Sequence, residues 1–560
     1  MLKNVRLVDV LSGKIETTDI AVAGGLIAGI GDGYGGRESV DLEGHYVCPG
    51  LIDAHVHVES ALVRPREFAR AVVSRGVTTA VTNPHEIANV LGIEGVRFML
   101  ADAEEAVMDL LATVPSSVPA SPLATSGAAV SLSEMRSLLS DPHVVGLGEV
   151  MDYYGVVAGD AKLLEQIEAF RGYPIDGHCP GLGGKALNAY IAAGISSDHE
   201  CTNAAEAGEK IRRGMRVFIR EGSVARNLRA LLPVVTPDNE RRLCFCTDDC
   251  QARDLLAKGS IDHLVRLAIA GGVPPMTAIR MATLNAAEHF RLHDRGAVAP
   301  GRRADLIVFR DLASPVAEMV YRSGVLVARD GETVSPVDTV APGIPPEVRD
   351  TVSVDWLRVD FRIPAEGRRV RVIGIVAGEL ITESLDMEAR TADGHAVADP
   401  GRDLLKIAVI ERHRSSGRMG LGFVKGIGLK EGAIAGTVAH DHHNLIVIGA
   451  DDRSMETAAK AVAYARGGQA VAIGERVTAL LPLPIAGLMS DEPVGRVSDR
   501  MNSLLAAAGE LGSPLADPFM AMSFLGLEVI PHLKLTDLGL VDVNEKKIVP
   551  LFLSGRGAGP

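Results

Sequence analysis

The sequence predicts an α/β chain built on a (β/α)8 barrel of the TIM type, with a small composite β domain and an additional C-terminal α/β domain. Two patterns carry that reading. First, from Pro49 to about Asp249, eight short apolar runs rich in β-branched residues alternate with longer stretches of helical period, as parallel βα units require. The runs cover residues 51–58, 77–83, 110–116, 144–151, 174–179, 195–200, 215–222 and 243–249. Second, nearly every run ends in a polar residue of catalytic type: His55 and His57, His85 just past the second run, then Glu149, His178, His199 and Asp248. Barrel enzymes set their chemistry at the C-terminal ends of the strands, whereas a doubly wound sheet collects its ligand at one switch point. Ligand-type residues spread around the ring of strand ends fit the barrel.

Upstream, residues 1–46 hold short apolar runs, among them Leu7-Val-Asp-Val10 and Ile20-Ala-Val22, separated by Gly-containing turns, and read as the first part of the small β domain. The catalytic barrel is expected over residues 47–290. Residues 291–340 return to a turn-plus-strand pattern, beginning at Gly296-Ala-Val-Ala-Pro-Gly301, and are expected to pair with the N-terminal strands as the second part of that domain. A Pro-rich stretch at 335–346 reads as a linker, and 352–560 as the C-terminal α/β domain. A chain of 560 residues is too long for one hydrophobic core, in keeping with several units.

With 47% hydrophobic and 23% charged residues the chain can bury a large core. Its formal net charge of -14 leaves no basic excess to neutralise phosphates, which argues against nucleic acid and anionic membranes as partners. Met1-Leu2-Lys3-Asn4 does not begin a signal peptide, and no apolar stretch is long enough to span a bilayer, so the expected location is cytoplasmic. Cys48, Cys179, Cys201, Cys244, Cys246 and Cys250 form no CxxC pair and read as free thiols.

His55 and His57 stand at i and i+2 on one strand, so both side chains reach the same face and can bind one ion. An HxH pair alone is a weak signal, because two polar residues on an exposed strand look the same. Here Gly50-Leu-Ile52 and Val58 flank it, which makes the strand buried and leaves its histidines in need of partners. Glu149 lies in Val144-Val-Gly-Leu-Gly-Glu-Val-Met151, too apolar a strand to bury a carboxylate without a cation. His178, His199 and Asp248 each have an ordinary reading as core or cap residues, but their recurrence in barrel order favours a metal site. Imidazole and carboxylate together suit Zn2+, Mn2+ or Fe2+. Gly420-Leu-Gly-Phe-Val-Lys-Gly426 lacks the Lys-Ser/Thr pair of a phosphate loop, and no Gly-x-Ser-x-Gly elbow is found.

The order HxH, Glu, His, His, Asp resembles the amidohydrolase superfamily of metal-dependent hydrolases. Within it, Pro49-Gly-Leu-Ile-Asp-Ala-His-Val-His-Val-Glu-Ser60 and Asn83-Pro-His-Glu-Ile-Ala-Asn-Val90 resemble segments of bacterial adenine deaminases most specifically. Gly177-His-Cys-Pro-Gly181, Ser197-Asp-His-Glu200, Arg220-Glu-Gly-Ser223 and Cys246-Thr-Asp-Asp249 are similar to them as well. The likeness continues through Leu421-Gly-Phe-Val-Lys-Gly-Ile-Gly-Leu429 and Val438-Ala-His-Asp-His-His-Asn444, so it spans nearly the whole chain. The resemblance implies hydrolysis of adenine to hypoxanthine and ammonia, as in purine salvage, by a metal-activated hydroxide attacking C6. Another amidohydrolase activity, on a modified adenine or a cyclic amide, stays open beside it.

It implies two divalent metal ions, Mn2+ or Fe2+ ahead of Zn2+. His55 and His57 would hold one, His178 and His199 the other, with Glu149 bridging them where many relatives carry a carboxylated lysine, and Asp248 completing the site. Asp248 is then the expected general base, and Glu149, Glu86 and His85 the further catalytic candidates. Glu59, Glu86, Glu221 and Asp249 remain open as the acid that protonates purine N1, and His85 as facing either substrate or ligand. The implied partner is a small purine base, and the implied assembly a homo-oligomer. The departures are Cys48 before Pro49 and His442 where a small polar residue is expected. Residues 440–444 read as an exposed histidine-rich turn rather than a second metal site, although the resemblance brings them toward the barrel mouth.

Overall fold

Each of the eight apolar runs forms a strand in the computed structural model, which describes residues 1–334, 343–376 and 381–553. Most of the linker expected at 335–346 lies outside the described residues. Five strands come first: β1 (Leu2–Asp9), β2 (Lys14–Ala23), β3 (Leu26–Ile30), β4 (Val40–Asp41) and β5 (Tyr46–Pro49). The barrel strands are β6 (Leu51–Val56), β7 (Val77–Thr82), β8 (Asp109–Pro115), β9 (Val144–Val150), β10 (Ile175–Gly177), β11 (Ser197–Asp198), β12 (Arg216–Arg220) and β13 (Leu243–Cys246). All pair in parallel with the next in chain order. β6 and β7 are buried at every position, as strands covered on both faces must be, which is why they read as continuous apolar runs rather than alternating ones.

The barrel closes without a regular ladder between β13 and β6. A single parallel bridge joins Val56 to Asp248: the Asp248 N–H donates to the His55 carbonyl at 3.0 Å, and the His57 N–H to the Asp248 carbonyl at 3.2 Å. One layer below, Asp53 accepts the Thr247 N–H at 3.1 Å and its hydroxyl at 2.5 Å. Asp248 has φ 56°, in the left-handed region that aspartate tolerates better than most side chains.

The chain on either side of the barrel makes one sheet. β14 (Leu306–Phe309) runs antiparallel to β5, with Leu306 opposite Pro49 and Phe309 opposite Tyr46. Val5, Leu7, Ile20, Val47 and Val308 form its core. Asp109, at the start of β8, ties this sheet to the barrel through Arg295, Arg303 and Arg322.

The C-terminal part builds an eight-stranded, largely antiparallel sheet. Its central strands Leu405–Ile410, Ala433–Gly436 and Leu445–Gly449 are buried along their whole length. Their alternation explains why. Ala408, Ile410, Ala433, Leu445 and Val447 pack on helix Asp452–Tyr464 through Met455, Ala458 and Val462. Ile407, Val409, Ile434, Ile446 and Ile448 enter the same apolar cluster as Phe68 and Leu264 of the barrel. Barrel and C-terminal sheet therefore share a core. All six cysteines are free and buried, and no helix among the described residues is long and apolar enough to cross a membrane.

Burial alone would raise the Asp109 carboxyl, but the three guanidinium groups bring it down to about 2. A depressed carboxylate stabilises the fold fully above its unfolded value near 4, and that contribution, about 2 kcal/mol, is lost as pH falls through the folded value. Asp109→Asn is expected to cost about 3 kcal/mol at neutral pH by leaving the arginines uncompensated. Urea unfolding followed from pH 5 to pH 2 should show a shallower acid limb in the variant than in the parent.

Candidate metal centre

The strand ends bring the predicted ligands together around one point. His57 donates through Nδ1 to the Asn83 carbonyl at 3.0 Å, which leaves Nε2 as a lone pair. That lone pair faces Glu149 Oε1 at 3.3 Å and Asp248 Oδ1 at 3.2 Å. His55 gives its Nδ1 proton to Asp176 Oδ2 at 2.8 Å, and its Nε2 lies 3.2 Å from His57 Nε2. Acceptors aimed at acceptors at this range, all buried, need positive charge between them. The donor set therefore fits metal ions: imidazole and carboxylate atoms of His55, His57 and Asp248 converge, as do those of His55, Glu149 and His199.

Glu149 stands in the middle. Oε1 faces His57, and Oε2 faces His178 Nδ1 at 2.8 Å and His199 Nε2 at 3.2 Å, so its two oxygens address different histidine pairs. Asn83 fixes the carboxylate through Nδ2 at 3.1 Å. That approach depends on Gly148: a Cβ there would fall 2.3 Å from Asn83 Oδ1 and 2.6 Å from Thr113 Oγ1. Burial opposes the charge on Glu149, yet the imidazoles of His178, His199, His57 and His85 around it hold its carboxyl well below the usual range.

Two further carboxylates orient the ring. Asp176 accepts from His55 and lies 3.4 Å from His199 Nδ1, so one group aims a ligand of each pair. Against burial, those two imidazoles keep it ionised. Arg220 grips Glu200 with both terminal nitrogens and reaches Asp248 Oδ2 at 2.6 Å, which holds Asp248 ionised despite its burial.

The turn at 440–444 is not exposed: His440, Asp441, His442, His443 and Asn444 are all buried, and they enter the barrel mouth. The physical reason is Glu86, whose Oε1 lies 2.9 Å from His440 Nδ1 and whose Oε2 is bonded by His443 Nε2. His443 Nδ1 accepts the Ala439 N–H at 3.3 Å, so Nε2 carries the proton and the contact is a hydrogen bond rather than a metal bond. His442, the residue departing from expectation, bonds the Asn444 N–H through Nδ1 at 3.0 Å and packs at Gly526.

Of the candidate acids, Glu86 and Asp249 line the cavity above the ligands, with His85 beside them. Glu59 and Glu221 do not. Glu59 accepts the Ile87 N–H at 3.3 Å and Glu221 the Leu228 N–H at 3.2 Å, each serving a neighbouring helix. Asp176, Glu200, Arg220 and Asn83 are positions around the ring that sequence reasoning did not assign. All four lay inside or beside segments already singled out, and alternation along β10 puts Asp176 on the same inward face as His178.

Asp176→Asn should leave the fold intact and weaken metal retention about 10- to 100-fold, because His55 loses the charged acceptor of its Nδ1–H and His199 the carboxylate beside its Nδ1. Metal per chain after dialysis against graded chelator reads this directly, and unchanged retention would remove Asp176 from the site.

Residues 46–334 match the family model for the amidohydrolase family, and residues 379–547 the model for the adenine deaminase C-terminal domain. The chain is 48% identical over 555 residues to an adenine deaminase of Desulfatibacillum aliphaticivorans, covering 99% of this chain and 97% of that one. It is 47% identical over 550 residues to an adenine deaminase of Cereibacter sphaeroides (98% and 96% covered). A third, from Methanothrix thermoacetophila, is 46% identical over 555 residues (99% and 97% covered).

Proposed function

Because the chain belongs to the adenine deaminase family of the amidohydrolases, we propose that it hydrolyses adenine to hypoxanthine and ammonia at the barrel mouth. The observation that carries this reading is the convergent imidazole and carboxylate ring beneath a small buried cavity, in a chain alike to these deaminases along its whole length. Arg220 is the one guanidinium on that cavity among the described residues, and Glu200 and Asp248 engage it, so nothing is offered to a nucleotide's phosphate. The reading includes a cytoplasmic homo-oligomer and a division into β domain (1–46 with 291–340), barrel (47–290) and C-terminal domain (352–560).

His55 and His57 would hold one divalent ion and His178 and His199 the other, with Glu149 between them and Asp248 beside the first. Such a pair, Mn2+ or Fe2+ in this reading, would supply Lewis acidity and lower the pKa of a bound water toward neutrality. Asp248 has Oδ2 occupied by Arg220, so Oδ1 is the oxygen that takes the water's proton as it attacks C6 and returns it to the departing amine. His85 lies between Glu149 Oε1 and Glu86 Oε1, each 3.2 Å away. Burial would lower its pKa, but Glu86, Asp441 and Glu149 hold the imidazole protonated. Its Nε2 makes no well-formed hydrogen bond and suits proton delivery to purine N1. Glu86, kept ionised by His440, His85 and His443 despite its burial, acts by holding His85 in place. Asp249, raised by burial and by the neighbouring Asp248, is a second acid on the same wall.

Ammonia release by metal-supplemented protein, assayed on adenine, adenosine, 6-methyladenine and cyclic amides, tests the reading. Turnover is expected on adenine; inertness there with turnover of another substrate would take the reading away while leaving the metal ring. Glu149→Gln is expected to lose metal and to lower kcat about 100-fold or more. Full activity in that variant would refute the bridging role.

A further inference from the structure

The roof of the cavity comes from the C-terminal part of the chain. Phe524, Leu527 and Ile530 line it together with Met151 and Val224 of the barrel loops, and Val224 packs in one apolar cluster with Phe524 and Leu527. The Phe524 ring stacks on His440 with centroids 4.6 Å apart and planes inclined by 14°, and His440 is bonded to Glu86, so this wall is fixed to the barrel. Set into it is Asp441, which is 4% exposed. Its Oδ1 lies 3.7 Å from His85 Nε2, while its Oδ2 is buried and accepts no hydrogen bond. A buried carboxylate oxygen beside a cavity and without a donor is costly unless a ligand brings the donor. The neighbouring Glu528 accepts the Ser121 hydroxyl at 2.7 Å through Oε1, and its Oε2, likewise buried, makes no hydrogen bond to Asp441.

We propose that Asp441 determines the specificity of the site for a free purine base, its Oδ2 accepting the imidazole-ring N–H at N9 or N7 while Phe524, Leu527 and Ile530 cover the ring. The inference rests on the adenine reading above and adds to it the group that selects the base. A nucleoside has no hydrogen at N9 and would press its sugar hydroxyls against an apolar wall, so both features of the roof reject it.

The test compares adenine with 9-methyladenine and 7-methyladenine in the metal-loaded parent, Asp441→Ala and Asp441→Asn. In the parent, one of the two methylations should lower kcat/KM about 100-fold or more, since it replaces the donor that a buried carboxylate requires. In Asp441→Ala, kcat/KM for adenine should fall about 10- to 100-fold, chiefly through KM, with metal content unchanged and the preference over that methylated base largely gone. Asp441→Asn, which keeps an acceptor oxygen but no charge, should lie between the two. A parent that turns over adenine but ignores both methylations overturns this inference alone, as does an Asp441→Ala enzyme that keeps the parent's preference. A parent inert toward adenine removes the inference together with the reading beneath it.

Discussion

Negative charge crowded into a buried barrel mouth is the constraint on which the rest of this molecule turns. Glu149, Asp176, Glu200, Asp248, Asp249 and Glu86 all stand within the shell around His55, His57, His178 and His199, and among the described residues Arg220 is the one permanent cation lining the mouth with them. One guanidinium and the His85 imidazolium cannot balance the ionised carboxylates among them in a low dielectric, and the two HxH rings already give their Nδ1 protons away, to Asn83 and Asp176. Divalent cations satisfy the arrangement where further protons would only repel one another. The electrostatics of the ring thus fit a metal site before any likeness to other proteins is considered.

The same residues close the barrel. β6 and β13 meet through the backbone of Asp248, His55 and His57 rather than through a ladder, and Asp53 with Thr247 ties the layer below. A left-handed aspartate at the seam is a local cost of the order of 1 kcal/mol or more, sustained because the surrounding contacts over-determine it. Ligand placement and fold closure are therefore one structural event: the backbone that seals the barrel is also the backbone that aims Oδ1 of Asp248 at His57.

Most of this was legible because barrel strands announce themselves twice, by apolar continuity and by the residue at the end of each run. β10 and β11 are only three and two residues long in the structure, yet the runs around them were found, since burial extends beyond the hydrogen-bonded core of a short strand. Asp176 was not assigned because a carboxylate one layer below the ligands has the same local signature as a solubilising residue; only the tertiary approach of His55 and His199 gives it meaning. The turn at 440–444 misled for a related reason. Histidines and aspartate in a turn are usually solvated, and nothing local indicates that Glu86, more than 350 residues away in sequence, waits to receive two of them.

That long-range contact explains why the C-terminal part belongs to the enzyme rather than merely being appended to it. Its central strands bury one face on their own helix and the other in the apolar cluster shared with the barrel, so it cannot leave without exposing that shared core. Fixed in this way, its histidines hold Glu86, Glu86 holds His85, and Phe524 lies against His440 above the ligands. The barrel floor is charged and suited to polarising water; the roof is apolar apart from its His440–Asp441 edge and suited to covering a flat heterocycle. Dividing the two tasks between two parts of the chain lets the floor keep the charge density that metal binding demands, while the substrate's faces meet surfaces that demand no charge at all.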